Sequence, residues 1–259
     1  MRAARPDEAV RPLLLGWLRR AGHVPEAAAL VLRGSLVTGA YCGAGRAAAD
    51  VDYLVMGAFD AAAMHAVAER VVAVPDARTA LRLVSTEVIW AETAFPGLRA
   101  HVAGDAGDGV ERTFQVDFAF GDPMTQAPTR LTLPGVGPVQ ACAPETLWAW
   151  KLHGLVEFGP GRWRAKDLYD LQLLDARVAL DAAELRAAVE VAFQSRGATF
   201  ADLTDLLTRA AWGCSASNRR KWRAFERRYG VSAEFLAVRD AVHARVASVV
   251  GPAVQRARR

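Results

Sequence analysis

The stretch that decides the fold is AALVLRGSLVTGAYCGAGRAAADVDYLVMG, which runs from Ala28 to Gly57. It begins as a β-branched apolar segment, breaks at Gly34-Ser35, and ends with Asp50 and Asp52 inside a second apolar strand. Residues i and i+2 of a strand project from the same face, roughly 7 Å apart. The two carboxylates therefore point together, and they repel each other unless a cation lies between them.

A third carboxylate occurs in the same kind of setting. Asp117 lies in FQVDFAF, in the middle of another apolar strand. A single aspartate in a strand usually marks an edge or a cap, but three favour a metal site, because Mg²⁺ prefers carboxylate oxygens. Two metals held by Asp50, Asp52 and Asp117 could activate an attacking hydroxyl and stabilise a leaving pyrophosphate.

The Gly34-Ser35 step is typical of a phosphate-binding turn. Glycine lets the backbone approach a phosphate closely, and backbone N–H groups together with the serine hydroxyl can bind its oxygens. A lone Gly-Ser is weak support for such a site. Followed after 14 residues by Asp-x-Asp, and then by a third strand aspartate, it is much more specific.

Composition limits the classes of protein that fit. The chain has 259 residues, of which 52% are hydrophobic and 23% charged, enough for a real core. No apolar run approaches the ~20 residues that span a bilayer, and the N-terminus predicts an amphipathic helix rather than a signal peptide. The three cysteines indicate neither a disulfide framework nor a zinc site. We expect a cytoplasmic protein with no membrane association.

Charge divides the chain unevenly. Residues 1–143 carry 13 Lys/Arg against 15 Asp/Glu, whereas residues 144–259 carry 19 against 13. A basic C-terminal half fits an anionic partner such as a nucleic acid. The alternative is compositional, because all but three of these cations are arginines in an alanine-rich chain.

The pattern of apolar residues changes at Pro144. Before it, helical spacing over 11–21 and 59–74 is interleaved with strand-like segments, including 80–92, 98–102, 112–122 and a hairpin around PGVG. After it, six segments have helical spacing: 145–158, 165–176, 182–194, 200–211, 215–229 and 233–250. We predict an α+β protein with a catalytic domain of mixed sheet and flanking helices over 1–143 and an all-α domain over 144–259.

Two blocks of sequence resemble a known family. The pattern GS…DVD…VDF resembles the nucleotidyltransferase superfamily, which has the DNA polymerase β-like fold. LRGSLVTGAYCGAGRAAADVDYLV and APETLWAWKLHGLVEFGPGRWRAKDLYDLQLL are closer still to the two signatures of the AbiEii-type nucleotidyltransferase toxins. With VDF between them, these blocks cover the chain from about residue 28 to residue 174.

The resemblance implies roles for particular residues. Asp50, Asp52 and Asp117 would bind Mg²⁺ or Mn²⁺, and Lys151 would belong to the active site. Gly34, Ser35, Arg46 and Lys151 would hold the triphosphate of an NTP. Asp167 would orient Lys151 or the metal site, while Asp170 would be structural. From the residues alone, Lys151 could instead extend its apolar stem along the helix toward water, and the acids of its neighbouring helix could complement the helix dipole.

The resemblance further implies a toxin that transfers a nucleotide to the 3′ end of tRNA and has a cognate antitoxin. We expect the chain to be a monomer. Two alternatives stay open. The acceptor could be a small molecule such as an aminoglycoside, or the chain could be a nucleotide- or RNA-binding relative without catalysis. Basic residues that could meet RNA are Arg162, Arg164, Lys166 and those of RRKWRAFERR, Arg219–Arg228. An ordinary solvated loop accounts equally well for the first three, and an amphipathic helix is the default interpretation of Arg219–Arg228.

Overall fold

The structure, a computed structural model, describes residues 6–157, 163–208 and 211–256. These residues form two compact units. The first comprises residues up to 40, 47–122 and 128–142, and the second comprises 41–46, 123–127 and the described residues from 143 onward. Two short segments from the N-terminal half thus belong to the second unit. Some predicted features lie outside the described residues. They are residue 158 of the helix predicted over 145–158, residues 209–210 of the helix predicted over 200–211, and the cation Arg162.

The first half of the chain contains four helices interleaved with its first strands, followed by a run of consecutive strands, among the residues that the structure describes. Its helices are α1 (Pro6–Ala21), α2 (Pro25–Ala28), α3 (Gly34–Cys42) and α4 (Ala61–Ala73). Its strands are β1 (Val31–Arg33), β2 (Asp50–Val55), β3 (Ala80–Ile89), β4 (Gly97–Asp105), β5 (Arg112–Phe120), β6 (Thr129–Leu133) and β7 (Gly137–Ala141).

The described strands form one mixed sheet in the order β3-β4-β5-β2-β1-β7-β6. Strand β2 is parallel to β5 and antiparallel to β1, while β4 is antiparallel to β5. The predicted α+β class is confirmed, as is the hairpin around PGVG, which joins β6 to β7. Helix α3 was not predicted, because its sequence GSLVTGAYC contains glycines that have low helix propensity.

Alternation along β2 and β5 separates the two faces of the sheet. Val51 and Phe118 are fully buried, and Phe118 stacks on Tyr53 with ring centroids 5.8 Å apart. Helix α1 covers this side, where Trp17 meets Phe114 edge-on. The residues between them in sequence, including the aspartates, therefore project from the opposite face.

The second half of the chain is helical, as predicted. Its helices are α5 (Pro144–Val156), α6 (Ala165–Arg177), α7 (Ala182–Gln194), α8 (Thr204–Thr208), α9 (Ala216–Tyr229) and α10 (Phe235–Arg256), with a 3₁₀ turn at Phe200–Leu203. Leu168, Leu171 and Leu174 of α6 form the predicted buried stripe. No helix among the described residues is both long and apolar enough to span a bilayer.

Candidate active site

Three aspartates lie on one face of the sheet, which we call the aspartate face. Asp50 and Asp52 belong to β2, and Asp52 is the direct register partner of Asp117 on the parallel strand β5. Side chains of directly paired residues lie on the same side of a sheet, and neighbouring strands are about 4.8 Å apart. The sequence predicted that Asp50 and Asp52 share a face. The register brings Asp117 beside them.

Gly34 marks the point where β1 passes into α3. Its φ is 77°, which favours glycine, and a Cβ built on it would lie 2.0 Å from the Oδ2 atom of Asp52. Any side chain here would therefore collide with the carboxylate of Asp52. The next residue, Ser35, is 5% exposed, and its Oγ atom has no hydrogen-bond partner among the described residues.

This corner has the features of an anion site. The N–H groups at the start of a helix lack intrahelical partners and favour negative charge. Ser35 adds a buried hydroxyl whose hydrogen-bonding capacity is unused. A buried polar group without a partner is destabilising, so an oxyanion at the start of α3 would relieve it.

Two arginines continue the same row across the sheet. Arg33 of β1 is the register partner of Asp52 and forms an ion pair with Asp122, with 2.5 Å between Nη1 and Oδ2. On the other side, Arg99 of β4 is the register partner of Asp117. Adjacent strands thus carry the sequence arginine, aspartate, aspartate, arginine.

Arg99 holds both oxygens of Asp117. Its Nε donates to Oδ1 and its Nη2 to Oδ2, each at 2.8 Å. Hydrogen bonding to Asp117 raises the pKa of Arg99 above its ordinary value, and the charge of Asp50 adds to the effect. Asp50 itself makes no hydrogen bond or ion pair with any residue that the structure describes.

The donor chemistry of the aspartate face suits a hard divalent cation, because it consists of carboxylate oxygens. The aspartates are not yet arranged around such an ion. Among the described residues, no three acidic, histidine or cysteine side chains converge into a group that could hold a metal. Both oxygens of Asp117 are bonded to Arg99 instead. The metal role of Asp50, Asp52 and Asp117 stays a prediction.

A second cluster of charges is buried in the helical unit, and we call it the Asp170 cluster. Lys151 of α5 donates to Oδ2 of Asp170 at 2.7 Å. Arg46 donates to the same oxygen through Nε and Nη2, each at 3.3 Å, and its guanidinium lies 5.3 Å from the ring centroid of Tyr229. Asp170 is 1% exposed.

Charge compensation keeps Asp170 ionised. Burial alone would raise its pKa, but the charges of Lys151 and Arg46 and their hydrogen bonds hold the pKa below its usual value. Its Oδ1 atom has no hydrogen-bond partner among the described residues. The partner of Lys151 is thus Asp170, the residue predicted to be structural.

Asp167, predicted to orient Lys151, lies in a different set of contacts. Its Oδ2 atom is 3.7 Å from Nε of Arg164 and has no hydrogen-bond partner among the described residues. A Cβ on Gly154 would approach that oxygen to 3.4 Å, so α5 and α6 are close here. The catalytic roles of Lys151 and Asp167 and the triphosphate-binding role of Arg46 stay predictions. In the structure, two of these side chains neutralise Asp170.

Sequence inspection missed Arg99. It lies in LRAHV, which was identified only as a strand. A hairpin register would have revealed it, because Arg99 and Asp117 are each nine residues from Asp108 in the intervening turn. The segment GDAGDG offers several turn centres, so the sequence did not select this register.

Paired strand aspartates beside a Gly-Ser helix start are the arrangement expected of a nucleotidyltransferase. Comparison with protein families gives the same class: residues 17–244 match the model of the nucleotidyl transferase AbiEii toxin of type IV toxin–antitoxin systems. The chain belongs to this family. It is therefore a nucleotidyltransferase that uses an NTP, and membership implies a cognate antitoxin.

Two solved structures from Helicobacter pylori are similar in fold. One, of JHP933, is 16% identical and has a TM-score of 0.49, with 96% of this chain and 98% of that chain covered. The other, of a protein described only provisionally as a nucleotidyltransferase, is also 16% identical with a TM-score of 0.49, covering 92% and 96% of the two chains. No curated protein matches the chain.

Proposed function

We propose that the chain transfers a nucleoside monophosphate from an NTP to the 3′ end of tRNA, with a divalent cation held on the aspartate face. The observation that carries the catalytic part is the register of Asp52 opposite Asp117 beside Gly34. It supports a site with an excess of carboxylates next to a helix start suited to phosphate.

In this mechanism the chain's residues mainly position the reactants and compensate charge. The start of α3 and the hydroxyl of Ser35 would bind phosphate oxygens. Asp50 and Asp52 would hold Mg²⁺ or Mn²⁺, and Asp117 would complete the metal site. When bound, the cation would stabilise the attacking oxygen and the leaving pyrophosphate.

The bond changes follow from in-line displacement. The terminal ribose hydroxyl oxygen of the acceptor attacks the α-phosphorus, and the bond from that phosphorus to the bridging oxygen of the β-phosphate breaks. Pyrophosphate leaves with the bridging oxygen. The hydroxyl proton passes to a carboxylate of the aspartate face, for which Asp117 is the candidate.

Helix α9 supports RNA as the acceptor. Arg219, Arg220, Arg223 and Arg227 are exposed, and at 3.6 residues per turn they fall within about 100° around the helix axis. Trp222 and Phe225 on the other side are buried. Arginines on one exposed helix face suit phosphate oxygens.

The first experiment labels the acceptor. Purified protein is incubated with Mg²⁺, total tRNA and each α-³²P-labelled NTP in turn, and the RNA is separated on a denaturing gel. We expect label on tRNA from at least one NTP. Asp52→Asn should reduce the rate roughly 10³-fold or more, whereas Asp60→Asn should not, because asparagine preserves the cap at the exposed start of α4.

The outcomes separate the acceptor from the chemistry. If no RNA is labelled but NMP is transferred to a small-molecule acceptor with NTP- and metal-dependent release of pyrophosphate, tRNA would be replaced as the acceptor and the transfer chemistry would stand. NTP binding with no transfer to any acceptor would contradict the catalytic proposal. Label that persists in Asp52→Asn would contradict the role of the aspartate face.

The contribution of α9 is measured by the salt dependence of tRNA binding. Arg219, Arg223 and Arg227 are changed together to glutamine. We expect weaker binding and a slope of log K against log salt that is less steep by about 2–3, since each phosphate contact contributes ~0.7–0.9. Glutamine at the exposed residues Arg70, Arg78 and Arg82 of the other unit is the matched control. Equal slopes in the two triple variants would contradict α9 as the RNA surface.

A further inference from the structure

Arg99 and Asp117, on neighbouring strands, form a contact through two hydrogen bonds. Two of the three guanidinium nitrogens donate, Nε to Oδ1 and Nη2 to Oδ2, each at 2.8 Å. The Asp117 side chain is 11% exposed and that of Arg99 is 27% exposed. Such a two-point contact has specific geometry and is among the strongest hydrogen-bonded arrangements in proteins.

This contact is in conflict with the role proposed for Asp117. A carboxylate that completes a metal site must direct an oxygen at the cation. The oxygens of Asp117 are directed at Arg99, and a guanidinium is permanently charged. A dication at the same oxygens would lie beside a like charge, so the two cations compete for Asp117.

The negative charges around Arg99 explain its contact with Asp117. The aspartate face presents Asp50, Asp52 and Asp117, and Arg33 is engaged with Asp122. Arg99 is bonded to Asp117 and also interacts with the charge of Asp50. It therefore supplies part of the positive charge that compensates the three carboxylates.

We propose that Arg99 is a counter-ion of the aspartate face that competes with a divalent cation for Asp117, so that the cation must displace it to bind there. This inference rests on the metal site proposed above. It assigns Arg99 a positioning role: it keeps Asp117 on the aspartate face in a defined orientation, and it weakens binding of the metal alone. Metal binding then includes breaking the Arg99–Asp117 contact.

The test is the affinity of the full chain for Mn²⁺ in the absence of nucleotide, measured by titration calorimetry and by the electron paramagnetic resonance signal of free Mn²⁺. Arg99→Gln removes the competing charge and keeps a polar side chain. We expect it to bind Mn²⁺ roughly tenfold more tightly than the unaltered chain, the factor that corresponds to a hydrogen-bonded charge pair of ordinary strength.

The matched control is Arg112→Gln. Arg112 makes a similar two-point contact with Asp108 in the same unit, at 2.9 and 2.7 Å. Its removal should leave Mn²⁺ affinity unchanged. In a background of Asp117→Asn, the effect of Arg99→Gln should also disappear, because the competition is for that carboxylate.

A second measurement covers the stability of the variant. Without metal, Arg99→Gln should have a lower melting temperature, since it leaves Asp117 without its partner. Saturating Mg²⁺ should then raise its melting temperature more than that of the unaltered chain, because tighter binding gives greater stabilisation. If Arg99→Gln does not fold, Arg99→Lys takes its place. Lysine keeps the positive charge but lacks the two-point geometry of the guanidinium. The affinity of Arg99→Lys for Mn²⁺ should therefore rise by less than that of Arg99→Gln.

The results distinguish this inference from the function on which it rests. Unchanged or weaker Mn²⁺ binding by Arg99→Gln, with binding still lost in Asp52→Asn, would overturn the role of Arg99 and leave the metal site intact. Equal Mn²⁺ binding by the unaltered chain, Asp52→Asn and Asp117→Asn would overturn the metal site itself, and with it this inference.

Discussion

The aspartate face and the Asp170 cluster both combine carboxylates with arginines, but their charges are balanced differently. The aspartate face and its immediate ion pairs contain the carboxylates of Asp50, Asp52, Asp117 and Asp122 against the guanidinium groups of Arg33 and Arg99, a formal charge of −2. The Asp170 cluster contains Lys151 and Arg46 against Asp170, a formal charge of +1.

The difference indicates what each group still requires. Excess negative charge on the aspartate face favours an added cation, and the partly exposed Asp50 and Asp52 are accessible to one. The Asp170 cluster has its carboxylate almost fully buried and already paired. Breaking such a pair leaves an uncompensated buried charge, which is strongly destabilising. The two groups therefore differ in charge balance: the aspartate face keeps an excess of negative charge, whereas Asp170 is paired with Lys151 of α5 and with Arg46.

The largest expected effect tests this contrast directly. Asp170→Asn should lower the free energy of unfolding by about 3–5 kcal/mol, because Lys151 and Arg46 lose their charged partner. Asp52→Asn should change it by less than about 1 kcal/mol, because the lost attraction to Arg33 is offset by the relief of repulsion between neighbouring carboxylates. Urea denaturation followed by circular dichroism measures both.

A third variant calibrates the result. Asp175 contacts Arg245 at 2.8 Å, but both side chains are about a quarter exposed, so Asp175→Asn should lose no more than about 1 kcal/mol. Equal losses from Asp170→Asn and Asp52→Asn would remove the distinction between the two groups.

A substitution at Gly34 tests whether the aspartate face depends on the position of the Asp52 carboxylate. Gly34→Ala should destabilise the protein by about 1–2 kcal/mol through its positive φ, and should in addition reduce nucleotidyl transfer because the new Cβ would displace the Asp52 carboxylate. Gly135→Ala is the matched control, since its φ of 78° is nearly the same but its Cβ would meet nothing within 4 Å. Full activity in both variants would show that Asp52 tolerates displacement.

The smallest effect is in the pH dependence of stability. The folded pKa of Asp170 is below its usual value, so its contribution to stability is complete above the unfolded pKa, about 3.9, and is lost as pH falls through the folded pKa. Below about pH 4, stability of the unaltered chain should fall by up to about 1.4 kcal/mol per pH unit from this group. Asp170→Asn should have a shallower slope in the same range, and parallel slopes would contradict the assignment.

The sequence predicted those features that follow from the repeat of side-chain direction along strands and helices. The shared face of Asp50 and Asp52, the burial of Val51 and the stripe of Leu168 follow from periods of 2.0 and 3.6 residues. Helix α3 was missed because buried Leu36 and Val37 outweigh the low propensity of its glycines. Such burial depends on tertiary contacts, which a local stretch of sequence does not reveal.

The partners of the charged residues were harder to predict. Arg99 and Asp117 meet through a hairpin register, and Lys151 meets Asp170 rather than Asp167 because of how α5 and α6 pack. Asp167 and Asp170 both lie on the buried side of α6, so helical spacing alone does not choose between them. Arg46 joins Lys151 across 105 positions of sequence, a separation that no local pattern can indicate.

The alternation along β2 has a practical consequence. Val51 and Tyr53 of this strand face the core, whereas Asp50 and Asp52 project from the opposite face. Replacing one carboxylate oxygen of Asp52 by an amide nitrogen therefore leaves the core untouched. Under the proposed role of Asp52, such a variant would be an inactive toxin with an intact core. It could then be produced in growing cells that the active enzyme would arrest, in amounts sufficient for crystallisation with an NTP.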